Sequence, residues 1–296
     1  MNSTKTRHIK ASGRDFWFTF TVTAVLILFG LLTAIPLISE VALSFSSKAA
    51  SDMNAVTLWP IGFTLESWKY MVSQNTLWRS FFISATSTVI GVALALVINV
   101  LMAYPMAKDE FPIHKALMLY VIFTMIFKAP TVPYYLQIVR LGLRNNYWVL
   151  IVPHLLSAYN LVVMRSFFKA FPKDVEEAAV IDGCGSFNTL FRIVLPSSKP
   201  VLMTVGLYYG VSLWNQYHNP LMFISDTKLF PMQLRIQQIV NTGAEIETVS
   251  KVASVNYTTA TLSAVVVIFA ILPVLAVYPF IQKHFTKGAM LGSVKG

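Results

Sequence analysis

The residues that most often carry catalysis or hold metal ions are few and scattered in this chain. It contains a single cysteine, Cys184, and five histidines that show no metal-ligand spacing: His8, His114, His154, His218 and His284. A structural or catalytic metal site needs three or four such ligands at characteristic spacings. A Gly-x-x-x-x-Gly-Lys-Ser/Thr segment, which would bind the phosphates of ATP, is also absent from the sequence. The sequence therefore predicts a chain that is not an enzyme and carries no metal or cofactor of its own.

A patterned segment lies between residues 172 and 196. Pro172 and the acidic Asp174 are typical of a helix start, where negative charge complements the helix dipole. Gly183 is typical of a helix end, because glycine accepts a positive φ angle. A second amphipathic segment begins at Ser186, and we expect it to stop at Pro196. The pattern predicts a short helix, a turn and a second helix at the membrane surface; taken alone, it also fits an ordinary amphipathic loop resting on lipid.

Lys128 lies within a long apolar stretch, just before Pro130 and Pro133. Charged groups at membrane depth are costly and usually face a cavity or the interior of a helix bundle. Lys128 could therefore line a passage for an anionic molecule. Its long side chain could equally reach the membrane surface or pair with a carboxylate such as Glu40. The residues alone leave both interpretations open.

Aromatic and amide side chains form a second group of candidates for a passage. Aromatic rings can stack on sugar rings while amides bond hydroxyl groups. The same residue types also form the aromatic belt at the membrane–water boundary, which is the alternative interpretation. The candidates of this group are Gln137, Asn160, Tyr208, Tyr209, Trp214 and Asn215.

The elements that must position these residues are long apolar stretches. The chain has 296 residues, of which 55% are hydrophobic and 12% are charged. A helix needs about 20 apolar residues to cross a bilayer. Six stretches satisfy that length, the third being interrupted by Lys128 alone: 16–39, 80–107, 116–139, 145–164, 200–225 and 252–282. The sequence predicts an all-α integral membrane protein with six transmembrane helices.

The basic residues predict how these helices are oriented. The net charge is +10, but the basic residues flank the apolar stretches and do not form the single cluster typical of nucleic-acid binding. Fourteen of the 23 Lys and Arg residues lie on the side that holds both termini and residues 165–199, against eight on the other side. The positive-inside rule therefore places both termini and this loop in the cytoplasm.

The segment Glu177-Ala178-Ala179, three residues, Gly183, nine residues, and then Ile193 to Pro196 resembles the EAA motif of binding-protein-dependent ABC importer permeases. The apolar stretches and the charge bias predict a cytoplasmic segment 1–15, a first transmembrane helix 16–46 and a cytoplasmic tail 284–296. The resemblance implies a permease domain over 75–283 with a cytoplasmic coupling loop at 165–199. It also implies that five residues contact an ATPase subunit: Glu177, Ala178, Ala179, Asp182 and Gly183.

Trp214-Asn215 and the segment 230–234 are most similar to the carbohydrate branch of that family, and the ending 291–296 resembles the tail of a maltose permease subunit. The resemblance implies half of a sugar pore in the inner membrane of a prokaryote. Its implied partners are a second permease, two ATPase subunits that bind ATP and Mg²⁺, and an extracytoplasmic solute-binding protein. Lys128 adds the hypothesis that the sugar is an acidic, uronate-containing oligosaccharide.

Two other functional classes remain as alternatives. A secondary transporter driven by an ion gradient usually carries internal repeats and carboxylates within its spans. We find no convincing repeat, and the one acid in a span region is Glu40, at an edge. A channel would need a ring of pore-lining groups, which the sequence does not single out. Neither alternative accounts for the pattern between Glu177 and Pro196.

Overall fold

The structure is a computed structural model that describes residues 13–241 and 256–292, and within those ranges the chain is helical and contains no strand. The α-helices are α1 (Gly13–Ser44), α2 (Lys48–Asp52), α3 (Glu66–Ser73), α4 (Asn75–Ala107), α5 (His114–Ile126), α6 (Thr131–Arg140), α7 (Ala158–Lys169), α8 (Lys173–Ile181), α9 (Ser186–Thr189), α10 (Leu195–Ser197), α11 (Lys199–Trp214), α12 (His218–Phe223), α13 (Met232–Asn241) and α14 (Thr259–Gly292). Short 3₁₀ segments are Tyr147–Leu150, Val152–His154 and Thr227–Leu229, and Leu190–Val194 is a π-helix. The prediction of an all-α chain is confirmed.

Three helical segments of the described chain are long and apolar enough to cross a membrane alone: Phe16–Ser44, Asn75–Ala107 and Thr259–Val277. Three further candidates are pairs of segments joined at a bend. They are His114–Ile126 with Thr131–Arg140 at 117°, Tyr147–His154 with Ala158–Lys169 at 46°, and Ser186–Ser197 with Lys199–Trp214 at 81°. By length and composition, the described chain therefore has three to six candidate spans, and the predicted six are reached when each bent pair crosses once.

The prediction of one continuous third span over 116–139 is wrong, because the chain turns by 117° between α5 and α6. Pro130 is the N-cap of α6, with φ −58° and ψ 152°. A proline lacks the N–H needed for a helical hydrogen bond and pushes the preceding residue out of helical conformation. Lys128 consequently lies in the bend and not in the middle of a helix.

The predicted fifth and sixth spans also differ from the structure. Helix α11 ends at Trp214, so the expected span over 200–225 is broken before α12. Asn215 is the C-cap of α11, with φ −92° and ψ 11°, and its side chain donates a hydrogen bond to the carbonyl oxygen of Val211 at 3.0 Å beside the backbone bond to the same oxygen. The last helix begins at Thr259, and residues 252–255 of the predicted sixth span lie outside the described residues.

The chain divides into two compact units, and the first comprises Met1–Tyr70 and Gly243–Ile268. Its buried polar side chains pair with one another: Ser51 with Thr258 at 2.8 Å, and Ser67 with Thr261 at 2.9 Å. The Phe45 ring stacks on Phe63 and Trp68. Hydroxyl pairs of this kind bring helices together where apolar contact gives little driving force.

The second unit comprises Met71–Thr242 and Phe269–Gly296. Its core lies between α4, α7 and α11, with buried side chains that include Ala95, Ala103, Leu161, Met164, Val205 and Leu213. Helix α4 presents small residues to α11: a β-carbon added at Gly91 would lie 2.7 Å from Cδ1 of Leu213. Small residues let transmembrane helices approach closely, so α4 and α11 are in tight contact.

Candidate functional site

The segment that resembles the EAA motif folds as a helix, a glycine turn and a second helix. Helix α8 begins after Pro172 and carries Asp174 and Glu176 in its first turn. Gly183 has φ +80°, and its N–H donates to the carbonyl oxygen of Val180 at 3.0 Å. The N–H of Cys184 donates to the carbonyl oxygen of Ala179 at 2.9 Å. This pair of bonds is the Schellman motif, which closes a helix through a residue of positive φ, and it confirms the helix and turn expected from the sequence.

The sequence predicted that the second helix stops at Pro196. In the structure it continues to Ser197. A proline in a helix clashes with the carbonyl group four residues earlier, here that of Arg192. Arg192 lies in the π-helix Leu190–Val194, whose wider turn relieves this clash. The chain bends by 81° only after Ser197, where α11 begins.

Four of the five residues predicted to contact an ATPase lie on the exposed face of this loop. Glu177, Ala178, Asp182 and Gly183 are exposed, whereas Ala179 is buried at 4% exposure. Large apolar side chains project beside them: Ile181 is 86% exposed and Phe187 is 72% exposed. Exposed apolar groups next to small residues are typical of a surface that another protein covers. The contact itself remains a prediction.

Charges on the loop after α4 lie close to this segment. Asp109 is 3.8 Å from Nζ of Lys169 and 3.6 Å from Nζ of Lys173, and these two cations hold the pKa of its carboxyl group below the usual range. A carboxyl group of lowered pKa is ionised at neutral pH, and its ionic contacts are lost only as the pH falls through the lowered value. All three side chains are exposed, so these pairs contribute little to stability.

The residues predicted to line a passage separate into exposed and buried ones. Lys128 and Gln137 are exposed, and Lys128 has no ion pair within the described part of its own unit. The Tyr208 ring is partly exposed and lies 5.9 Å from the Tyr159 ring. Asn215 is exposed and accepts a hydrogen bond from Nε2 of Gln233 at 3.1 Å. These side chains are accessible, and their role in a passage stays a prediction.

Tyr209, Asn160 and Trp214 are instead buried. The Tyr209 hydroxyl, on α11, accepts a hydrogen bond from Nδ2 of Asn99 on α4 at 2.5 Å and from the backbone N–H of Ser157 at 2.8 Å. Ser157 lies at the break before α7, where a backbone N–H needs a partner other than a helical carbonyl. Tyr209 thus joins three elements of the bundle. The Trp214 indole donates to the carbonyl oxygen of Ala270 at 3.1 Å.

Asn99 is a residue that the sequence analysis missed. An amide within the uncharged stretch 80–107 is itself a signal, because polar groups in a span usually have an internal partner. Its partner Tyr209 is 110 positions away, so the pairing could not be derived from spacing. Lys108, the first charged residue after the same stretch, was predicted only to contribute to the excess of basic residues on one side of the membrane.

Tyr209→Phe is expected to lower the free energy of unfolding by about 1–3 kcal/mol, the usual cost of leaving buried donors without an acceptor. The donors concerned are the Asn99 amide and the Ser157 N–H. Denaturant unfolding of the purified chain in detergent would measure this loss. Tyr208→Phe is the matched control, because Tyr208 is partly exposed and its hydroxyl has no hydrogen bond within the described residues. Equal stability of the two variants would contradict the joining role of Tyr209.

Comparison with known proteins now assigns the chain to a family. Residues 94–290 match the family described as binding-protein-dependent transport system inner membrane component. The chain belongs to this family. It is 36% identical over 281 residues to the polygalacturonan/rhamnogalacturonan transport system permease protein YtcP of Bacillus subtilis (strain 168), covering 94% of this chain and 98% of that protein. It is 37% identical over 297 residues to protein LplC of the same organism, with 98% of each chain covered.

The fold has a similar relative among solved structures. One chain in the crystal structure of a bacterial ABC transporter involved in the import of the acidic polysaccharide alginate superimposes with a TM-score of 0.86 at 27% identity, covering 93% of this chain and 98% of that one. The family resemblance noted in the EAA-like segment is therefore confirmed. The chain is a membrane-embedded permease component of a transport system and not an enzyme.

Proposed function

We propose that this chain forms half of the pore of an ATP-driven importer for acidic, uronate-containing oligosaccharides. One observation carries the substrate class: relatives that cover more than nine-tenths of the chain, one by sequence and one by structure, are named for polygalacturonan/rhamnogalacturonan transport and alginate import. Polygalacturonan and alginate are both polymers of uronic acids. The two comparisons are of different kinds and indicate the same anionic sugar chemistry.

Energy for transport would come from other chains. ATP and Mg²⁺ would bind to two ATPase subunits in the cytoplasm, and the exposed residues Glu177, Ala178, Asp182 and Gly183 would dock on one of them, with Ala179 packed beneath. A second permease would complete the pore, and an extracytoplasmic solute-binding protein would deliver the sugar, in keeping with the family's description. The excess of basic residues supports a cytoplasmic position for both termini.

Lys128 is the residue of this chain that best fits an anionic substrate. It lies at the 117° bend between α5 and α6, and its side chain is exposed. Irregular backbone within a transmembrane region is tolerated where it lines a cavity or is buried in protein, so a bend that holds a cation suits a passage for carboxylates. An ammonium group attracts each uronate carboxylate without requiring a fixed geometry.

Residues 293–296 of the tail that resembles a maltose permease subunit lie outside the described residues. A secondary transporter remains the alternative function, but membership of a binding-protein-dependent family does not favour it.

The direct test combines affinity purification of the tagged chain from its native membranes with an uptake assay. We expect an ATPase subunit and a second permease to co-purify, and the reconstituted complex to take up oligogalacturonate in an ATP-dependent manner. Neutral oligosaccharides of the same length serve as the matched control substrate. A chain that purifies alone and transports on an ion gradient would overturn the importer proposal, whereas ATP-driven uptake of the neutral sugar only would overturn the substrate class.

A further inference from the structure

An ion pair connects the coupling loop to the end of helix α4. Nζ of Lys108, the residue that follows α4, contacts Oε2 of Glu176 in the first turn of α8. Lys108 also lies over the Tyr104 ring, with Nζ 4.7 Å from the ring centroid. The Tyr104 ring in turn meets Phe168 of α7 edge to face, with centroids 5.9 Å apart. The ammonium group of Lys108 therefore lies between a carboxylate and an aromatic face. The ion pair and the cation–π contact both favour its charged form.

This pair differs from the other ionic contacts nearby in its burial. The side chains of Lys108 and Glu176 are 26% and 15% exposed, whereas the contacts of Asp109 with Lys169 and Lys173 are between exposed groups. The other carboxylate oxygen of Glu176, Oε1, is buried and has no hydrogen-bond partner within the described residues. Removing Lys108 would leave a largely buried carboxylate without compensation, which is far more costly than losing a surface pair.

Lys108 and Glu176 also lie on opposite sides of a groove, and their ion pair bridges it. A cavity of about 880 Å³ lies between α8 with the following Ser186 segment on one side and the ends of α4 and α7 on the other. Within the described residues, the side-chain hydrogen bonds and ion pairs of α8 reach only Lys108 and Asp109. Because the Asp109 contact is exposed, the Lys108–Glu176 pair is the principal polar connection between α8 and the rest of the bundle.

Helix α4 is well placed to carry a displacement into the membrane. Its close approach to α11 at Gly91 and the hydrogen bond between Asn99 and Tyr209 join it to α11. Nε of Arg165, on α7, donates to the carbonyl oxygen of Met106 near the cytoplasmic end of α4 at 2.8 Å. Packed helices move as units because their interiors are close-packed, so a pull on Lys108 would shift α4 together with its neighbours.

From this geometry we infer that Lys108 and Glu176 are positioning residues that transmit movement of the coupling helix α8 to α4. The inference rests on the proposed ATP-driven function. The ATPase would move α8, the partly buried pair would convey that movement to the end of α4, and α4 would convey it to α7 and α11. Without the pair, α8 would still move with the ATPase, but α4, α7 and α11 would move less. Each ATP hydrolysed would then transport less sugar.

The test compares uptake per ATP hydrolysed in proteoliposomes that contain the complete importer, with oligogalacturonate and the solute-binding protein as the probe system. Glu176→Gln keeps the shape of the side chain and removes its charge, and Lys108→Gln replaces the cation with a shorter, neutral polar side chain. Each is expected to lower uptake per ATP about 2- to 30-fold, the range that coupling residues outside a binding site typically produce. The double charge exchange Lys108→Glu with Glu176→Lys should recover to within about threefold of wild type, since it restores the attraction but loses the contact with Tyr104.

Asp109→Asn is the matched control, because it removes two exposed ionic contacts nearby, those with Lys169 and Lys173, and should leave the ratio unchanged. Assembly is followed by co-purification of the ATPase, which a coupling defect should not alter. If both single variants keep the wild-type ratio, or if the charge exchange is no better than the single variants, the inference is wrong. If the wild-type importer itself shows no ATP-driven uptake, the proposed function is refuted, and the inference about Lys108 and Glu176 falls with it.

Discussion

Replacing Gly183 with proline is expected to abolish ATP-driven uptake while the chain still inserts into the membrane. Gly183 has φ +80°, and its N–H closes the end of α8 by donating to the carbonyl oxygen of Val180. Proline fixes φ near about −65° and has no N–H, which costs roughly 3 kcal/mol where a helical bond is lost. The correct turn would then be populated about a hundredfold less, and the direction of α8 relative to the following helix would change. Uptake by membrane vesicles, with membrane content measured in parallel, checks this result.

Gly185→Pro provides the matched control two residues further along. Gly185 has φ −71° and ψ 161°, values that proline adopts, and its N–H makes no backbone hydrogen bond within the described residues. It is the N-cap of α9, a position whose N–H makes no hydrogen bond within the helix. We expect uptake close to wild type. Equal losses for the two substitutions would show that any proline in the loop is harmful, and normal uptake by the Gly183 variant would refute its coupling role.

Lys128→Ala is expected to reduce uptake of an acidic oligosaccharide and to spare a neutral one of the same length. The ammonium group lies exposed at the bend between α5 and α6, where it can attract a passing carboxylate. An attraction of about 1–2 kcal/mol, typical of a pair near water, corresponds to a loss of about five- to thirtyfold. Uptake of labelled oligogalacturonate and of a matched neutral oligosaccharide, at several ionic strengths, measures the effect.

Two further variants separate the charge from its position. Lys128→Arg keeps the cation and should retain most uptake of the acidic sugar. Lys115→Ala removes an exposed cation near the other end of α5, and should leave uptake of both sugars unchanged. Added salt should weaken the effect of Lys128, since exposed charges are screened within about 10 Å at 0.1 M. Undiminished uptake of the acidic oligosaccharide by Lys128→Ala would refute a role for this cation.

The local structure of the segment 172–183 was the feature of this protein that the sequence predicted best. Its helix start at Pro172, its acidic first turn and its end at Gly183 are all determined by residues within a few positions of one another. Helix capping is a local matter of backbone donors, acceptors and φ angles, so it can be derived from neighbouring residues. The one local error was the stop at Pro196, because the π-helix that accommodates this proline leaves no signature in residue type.

The apolar stretches were predicted better than the helices that they form, three of which are broken by bends. Apolar length indicates that a stretch belongs in a bilayer, but it does not reveal where a helix bends. Pro130 lies at the break beside Lys128, and a proline in an apolar stretch is a clear sequence signal for such a break. Asn215, at the end of α11, is a weaker signal, and the 3₁₀ turns before α7 became visible only in the structure. Neighbouring helices supply the partners for backbone groups freed at such breaks, so only the assembled bundle decides whether a break is stable.

Composition and short spacings were enough to predict an all-helical membrane chain, the short helix that ends at the Gly183 turn and the absence of a phosphate-binding loop from the sequence. The tertiary structure alone decided that Tyr209 joins three elements of the bundle and that Lys108 pairs with Glu176. Those partners are 110, 52 and 68 positions apart in the chain. The energy of a buried hydrogen bond or ion pair depends on the distance between its groups and on their shared burial, and residue order specifies neither until the helices have packed.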